Sequence, residues 1–113
     1  LTLFDRTQLI RVVTNLLNNA IQAIPEDRDP MIFVKLHSNE KNVVINIQDN
    51  GNGILEENKT KIFEPSFTTK SSGMGLGLSM IQSIMNAYNG SITFKTKENQ
   101  GTTFKVTFPK KFK

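Results

Sequence analysis

The sequence predicts a two-layer α/β sandwich, in which one mixed, mostly antiparallel sheet is covered by about three helices. Two stretches with an apolar period near 3.6 residues predict long helices, one at the start of the chain and one before residue 88. Four short apolar or alternating stretches predict strands in two pairs. At 113 residues the chain supports one core, so residues 1–113 are predicted to form a single domain.

The composition restricts the class of protein. No apolar run approaches the ~20 residues that span a bilayer, so we expect no direct membrane contact. The sequence has no cysteine, which excludes disulfides and thiolate metal sites and fits a cytoplasmic protein. Its net charge of +4 suits an anionic ligand, but it has no basic stripe or aromatic platform for nucleic acid. Because the chain opens at Leu1, we expect a fragment of a longer protein.

The first helix is predicted over Asp5–Ile24. Its buried stripe consists of Leu9, Val12, Val13, Leu16, Leu17, Ala20 and Ile24. Asn15, Asn18 and Asn19 stand in mid-helix, where asparagine is a poor helix former. They are either ordinary surface residues or ligands, since an amide oxygen binds Mg²⁺, an ion that usually takes one or two protein groups plus substrate phosphates.

An acidic residue and two alternate glycines follow the predicted strand Val43–Gln48, in the order Asp49, Gly51 and Gly53. This stretch is either a plain hairpin turn or a ligand site. In the second case, the Asp49 carboxylate would accept a hydrogen bond from an amino group in an apolar pocket, and the glycines would permit close approach to the backbone.

The other predicted strands complete two hairpins. Met31–His37 pairs with the strand that ends at Asp49, and Ser91–Lys95 pairs with Thr103–Pro109. His37, the single histidine, is predicted to be structural or exposed, because no second histidine or acidic cluster accompanies it.

The stretch Lys61–Lys70 and the glycine-rich run after it form a candidate lid. Phe63 and Phe67 are spaced to anchor a loop. The glycine-rich run opens the predicted helix Leu76–Tyr88, and backbone N–H groups at a helix start bind phosphate. The run matches neither a P-loop nor a Rossmann fingerprint.

Four motifs in order resemble the ATP-binding catalytic domain of bacterial sensor histidine kinases. This domain has the Bergerat fold that is shared with gyrase-type ATPases and heat-shock chaperones. The motifs are Asn15–Ala20 for the N box, Asp49–Gly53 for the G1 box, Phe63–Phe67 for the F box and Gly73–Leu78 for the G2 box. Two segments, Asn19–Ala23 and Phe67–Lys70, look closest to those of the nitrogen-regulation type of sensor kinase.

The resemblance implies a role for each matching residue. Asp49 would accept the hydrogen bond from the adenine amine, with Thr102 in support, and Asn19 would coordinate Mg²⁺. Asn15 would lie near the γ-phosphate of ATP, and Lys70 would supply the positive charge that many relatives carry three positions after the magnesium ligand. Asn15, Asn19 and Lys70 are thus the predicted catalytic residues. The other residues predicted to bind ATP are Gly51, Gly53, Ile54, Phe63, Phe67, Gly73, Met74, Gly75, Leu76, Gly77 and Leu78.

The residue at position 15 separates two reactions. Gyrase-type ATPases carry a glutamate there, which activates water as a general base. The amide of Asn15 cannot take that proton, so the resemblance implies transfer of the γ-phosphoryl group to another nucleophile. That nucleophile would be a histidine on the dimerisation and phosphoacceptor domain of the parent protein, which would then pass the group to a response regulator.

Two other functions are compatible with the same fold. A serine/protein kinase of the anti-sigma type usually keeps the glutamate at position 15, and a degenerate domain would sense ATP without transferring its phosphoryl group. Because dimerisation in the family resides in helices outside this chain, we expect the isolated domain to be monomeric. The parent kinase could be anchored in the inner membrane.

Overall fold

The computed structural model describes residues 6–64 and 74–110. The elements in chain order are α1 (Arg6–Ala23), β1 (Ile32–Ser38), β2 (Asn42–Asp49), a short 3₁₀ helix (Glu56–Asn58), α2 (Met74–Ala87), β3 (Ser91–Lys97) and β4 (Gly101–Pro109). The four strands form one sheet in the order β1-β2-β4-β3, and α1 and α2 pack against one of its faces. This arrangement confirms the predicted two-layer α/β sandwich.

All three strand pairs in the described residues are antiparallel, which refines the predicted mixed sheet. Ile47 of β2 lies opposite Val34 of β1 and Phe104 of β4. Because directly opposed residues in a sheet share a face, these three side chains belong to the face that carries the helices.

The predicted boundaries agree with the structure to within two residues for each element. Helix α1 begins one residue later than predicted and ends at Ala23, two residues before Pro25. Strands β3 and β4 extend two residues further toward each other than predicted. This extension is possible because Asn99, in the turn that joins them, adopts a left-handed conformation with φ of 63°.

The core lies between the sheet and the two helices. From α1 it takes Val12, Leu16 and Ala20, as the apolar period predicted. Its other buried side chains are Ile45, Ile47, Ile62, Leu78, Ile81, Met85, Ile92, Phe104, Val106 and Phe108. In the described ranges, no helix combines the length and the apolar character that crossing a membrane requires.

The edge strand β1 departs from the simple rule that apolar strand residues are buried. Val34 and Leu36 are 55% and 69% exposed, although their partners Ile47 and Ile45 are buried. The difference arises because α1 and α2 contact β2, β3 and β4, which leaves the helix-side face of β1 open.

Burial of Leu16 and exposure of Leu36 provide a matched test of this packing. Leu16 is 1% exposed, so Leu16→Ala should lower the free energy of unfolding by about 2–5 kcal/mol through lost burial and a residual cavity. Leu36→Ala, the control, should change it by less than about 0.5 kcal/mol. Urea unfolding monitored by circular dichroism measures both values, and equal losses would contradict the arrangement of helices over β2 and β4.

Candidate functional site

Asp49 is the last residue of β2 and one of the few buried polar residues, with 5% of its surface exposed. Its Oδ1 atom accepts hydrogen bonds from the backbone N–H of Gly51 at 2.8 Å and of Thr102 at 3.3 Å. Both bonds end on the same oxygen, and neither uses Oδ2. The carboxylate is therefore held by backbone on one side and has a second oxygen with which to accept a hydrogen bond from a ligand.

Burial raises the pKa of the Asp49 carboxyl above its ordinary value of 3.8. The backbone N–H groups of Gly51 and Thr102 act in the opposite direction, because they stabilise the ionised form, but burial is the larger effect. A carboxyl group whose pKa is displaced by burial is typical of a functional site.

Thr102 joins the site to the neighbouring strand β3. The hydroxyls of Thr102 and Thr96 share a hydrogen bond of 2.8 Å, and the Thr96 hydroxyl also lies 3.2 Å from the carbonyl oxygen of Gly101. The backbone N–H of Ile54 donates to the same Thr96 oxygen at 2.9 Å. Thr96 thus fixes the end of the turn that begins at Asp49. Thr96 is not among the residues predicted from the sequence, although it could have been found as the cross-strand partner of Thr102.

The turn after Asp49 packs against both α1 and the hairpin of β3 and β4. The N–H of Asn52 donates to the carbonyl oxygen of Ala23, the last residue of α1, at 2.9 Å. A Cβ atom on Gly51 would lie 2.5 Å from that same oxygen, so only glycine permits this approach. At Gly53, φ is +76° and a Cβ atom would lie 2.4 Å from the carbonyl oxygen of Lys97. Both predicted glycines are therefore required by neighbouring protein backbone, and not only by the approach of a ligand.

Asn19 and Asn15 lie on α1 as predicted, but in different environments. Asn19 is 8% exposed, and its Nδ2 atom is buried without a hydrogen-bond partner among the described residues. Asn15 is half-buried and donates from Nδ2 to the carbonyl oxygen of Arg11 at 2.8 Å. A Cβ atom on Gly77 would lie 3.7 Å from Asn15 Oδ1. The first turn of α2 therefore passes close to Asn15 on α1.

The remaining predicted site residues divide into three groups. Phe63 is half-buried, and its ring centroid lies 6.0 Å from that of Phe94, so its side chain packs against the sheet. The Leu78 side chain is in the core, and any contact it makes with a nucleotide would come from its backbone. The predictions for Phe67, Lys70 and Gly73, and those for the side chains at positions 74–76, lie outside the described residues.

Comparison with known proteins identifies the family. The family model described as "Histidine kinase-, DNA gyrase B-, and HSP90-like ATPase" matches residues 4–111. The chain belongs to this ATPase family. The match covers all four motifs, so the resemblance predicted from them is confirmed.

The relatives of the chain restrict the assignment within this family to the sensor kinases. The chain is 36% identical to sporulation kinase B of Bacillus subtilis over 105 residues, which are 93% of the chain and 24% of the relative. It is 42% identical to the signal transduction histidine-protein kinase AtoS of Escherichia coli, over 93% of the chain and 17% of the relative. The chain therefore spans about a quarter or less of the length of these two proteins.

A solved structure supports the same assignment. The catalytic domain of histidine kinase ThkA superposes with a TM-score of 0.82 and is 38% identical, over 95% of the chain and 69% of that structure. The chain is thus an ATP-binding catalytic domain of the sensor histidine kinase type.

The raised pKa of Asp49 has a consequence for the stability of the nucleotide-free domain. The folded state binds more protons than the unfolded state between 3.8 and the raised pKa, so rising pH removes stability across that interval and none beyond it. Asp49→Asn keeps an oxygen acceptor and has no ionisation. Relative to wild type, the variant should therefore gain in free energy of unfolding as pH rises through this interval.

Urea unfolding of both proteins at a series of pH values between about 3 and about 8 measures this difference. A difference that does not change with pH would show that the Asp49 carboxyl has the same pKa in both states.

Proposed function

We propose that this domain binds Mg-ATP and donates the γ-phosphoryl group to a histidine on a separate phosphoacceptor domain of its parent protein. The observation that carries the proposal is the presence of two buried polar groups, the carboxylate of Asp49 and the amide of Asn19. The elements that hold these groups are joined directly by the hydrogen bond from Asn52 to Ala23. One group suits the nucleobase and the other suits the ion on the phosphates.

Asp49 would hold the adenine. Its Oδ1 is occupied by the backbone N–H groups of Gly51 and Thr102, so Oδ2 would accept from the exocyclic amine of the base. A base that presents a carbonyl at that position would face a carboxylate with no donor between them, which disfavours guanine. The site would thereby select adenine over other purines.

Asn19 would hold Mg²⁺. Its buried amide has an unpartnered nitrogen, and rotation of the amide plane by half a turn exchanges nitrogen and oxygen, so a ligand for the ion fits this position. No cluster of three acidic or histidine side chains occurs among residues 6–64 and 74–110. One or two protein oxygens plus substrate phosphates are the usual ligands of Mg²⁺, which when bound would neutralise charge on the transferring phosphates.

Asn15 favours transfer over hydrolysis. Its amide is held by Arg11 and lies against the start of α2, but it cannot accept a proton from water. An imidazole nitrogen needs no such base to attack the γ-phosphorus. In that step the N–P bond forms, the bond from the γ-phosphorus to the bridging oxygen breaks, and ADP leaves. The domain would then contribute position and charge rather than acid–base catalysis.

The lid would complete the phosphate end of the site. Lys70 and the backbone of the glycine-rich run would contact the triphosphate, as the resemblance implies. Phe63, packed on Phe94, would fix one end of this segment to the sheet. The phosphohistidine of the parent kinase would then supply a response regulator.

Asp49 and Asn19 should make separable contributions to the affinity for ATP. Asp49→Asn should weaken ATP binding by about 10- to 100-fold with or without Mg²⁺, because it replaces a charged acceptor at the base. Asn19→Ala should weaken binding only when Mg²⁺ is present. Calorimetric titration of ATP into each protein, with Mg²⁺ or with a chelator, measures both effects. A folded wild-type domain that binds no adenine nucleotide would overturn the proposal.

The product of transfer identifies the reaction. With γ-labelled ATP, Mg²⁺ and the purified phosphoacceptor domain of the parent kinase, the label should move to that domain as an acid-labile, base-stable phosphoramidate. Asn19→Ala should slow the transfer by at least about tenfold. Binding without transfer would indicate an ATP sensor, and an acid-stable phosphoester would indicate a serine kinase.

A further inference from the structure

The loop between α1 and β1, residues 24–31, is hydrogen-bonded to the turn that follows Asp49. The Nη1 atom of Arg28 donates to the carbonyl oxygen of Asn50 at 2.6 Å and to that of Gly51 at 2.8 Å. One guanidinium nitrogen therefore bridges the two consecutive carbonyls that come directly after the carboxylate. None of the four sequence motifs includes Arg28.

The first of these bonds continues to Asp49 through a single peptide unit. The carbonyl of Asn50 and the N–H of Gly51 belong to the same planar peptide, and that N–H donates to Asp49 Oδ1 at 2.8 Å. The peptide is thus held between a cation at its oxygen and a carboxylate at its hydrogen. Hydrogen bonds in such a chain polarise one another, and bonds with a charged member are the stronger ones.

Arg28 is itself held in place. Its backbone N–H donates to the carbonyl oxygen of Pro25 at 3.1 Å, and its side chain is half-buried. Asn50 adds a second connection between the turn and the loop, because its Oδ1 accepts from the N–H of Met31 at 2.9 Å and its Nδ2 donates to the carbonyl of Asp29 at 2.8 Å. The loop and the turn therefore form one unit with little freedom to rotate the peptide between residues 50 and 51.

We infer that Arg28 is a positioning residue for adenine selection: it orients and polarises the peptide that binds Asp49 Oδ1, and so directs Oδ2 toward the base. This inference rests on the proposed role of Asp49 in binding the adenine amine. It assigns to the loop of residues 24–31 a part in choosing the nucleotide, although Arg28 itself would not touch it.

Selectivity between ATP and ITP tests the inference, because the base of ITP has a carbonyl where adenine has its amine. Arg28→Met should raise the Kd for ATP about tenfold and that for ITP less than about twofold, so the preference for ATP falls about fivefold or more. Arg28→Lys keeps a cationic N–H donor and should restore the preference to within about threefold of wild type. Arg6→Met, which removes an exposed arginine at the start of α1, should leave both values unchanged.

Calorimetric titration of each variant, together with circular dichroism to check folding, gives the answer. An equal loss for ATP and ITP in Arg28→Met, or no loss for either, overturns the inference. If that variant does not fold, Arg28→Gln takes its place: it should lower the preference for ATP, and a preference equal to that of wild type overturns the inference.

Asp49→Asn separates this inference from the proposed function. If Asp49→Asn retains the full preference for ATP, the role proposed for Asp49 fails, and the inference about Arg28 fails with it. If Asp49→Asn loses the preference and Arg28→Met keeps it, only the inference about Arg28 fails.

Discussion

The buried carboxylate of Asp49 is the constraint on which the site depends. Removing a carboxylate from water costs on the order of several kcal/mol unless donors replace the lost hydration. Here the donors are backbone N–H groups of Gly51 and Thr102, so the protein must bring a tight turn and the start of β4 to one oxygen. The shape of the turn and the register of β4 against β2 both satisfy this requirement.

The same turn joins the two chemically different ends of the site. Helix α1 ends with carbonyls that lack partners inside the helix, and the turn satisfies that of Ala23 through the N–H of Asn52. Asn19 lies one helical turn before Ala23, about 6 Å along the axis. The Asp49 carboxylate and the Asn19 amide, which are proposed to bind the base and the ion on the phosphates, are consequently fixed to one rigid frame.

The parts of this candidate site that lie on regular structure could be placed from the sequence. The position of Asp49 followed from the end of a strand and two glycines, and the asparagines followed from the periodicity of α1. Thr96 was within reach of the same method, because the turn of the last hairpin places it opposite Thr102. It was missed because one threonine in an edge strand carries no signal of its own.

Other features were beyond the sequence for physical reasons. Arg28 lies in a loop without periodicity, and its contacts cross more than twenty residues of chain. The exposure of Leu36 depends on which strand stands at the edge of the sheet, whereas an apolar pattern reports only which face of a strand it occupies. Both facts depend on the tertiary arrangement, which the local conformational preferences of the sequence do not determine.

The long span of the contacts around Asp49 also sets when the site comes into existence. Asp49 and Thr102 are 53 residues apart, and Ile54 and Thr96 are 42 residues apart. Contacts of such separation form late in folding, because the chain must close large loops before they stabilise it. During synthesis, the carboxylate cannot acquire its second donor until Thr102 has left the ribosome. A nucleotide bound at Asp49, as proposed, would therefore report completion of the fold, and it would stabilise the finished domain by an amount that depends on its concentration relative to its Kd.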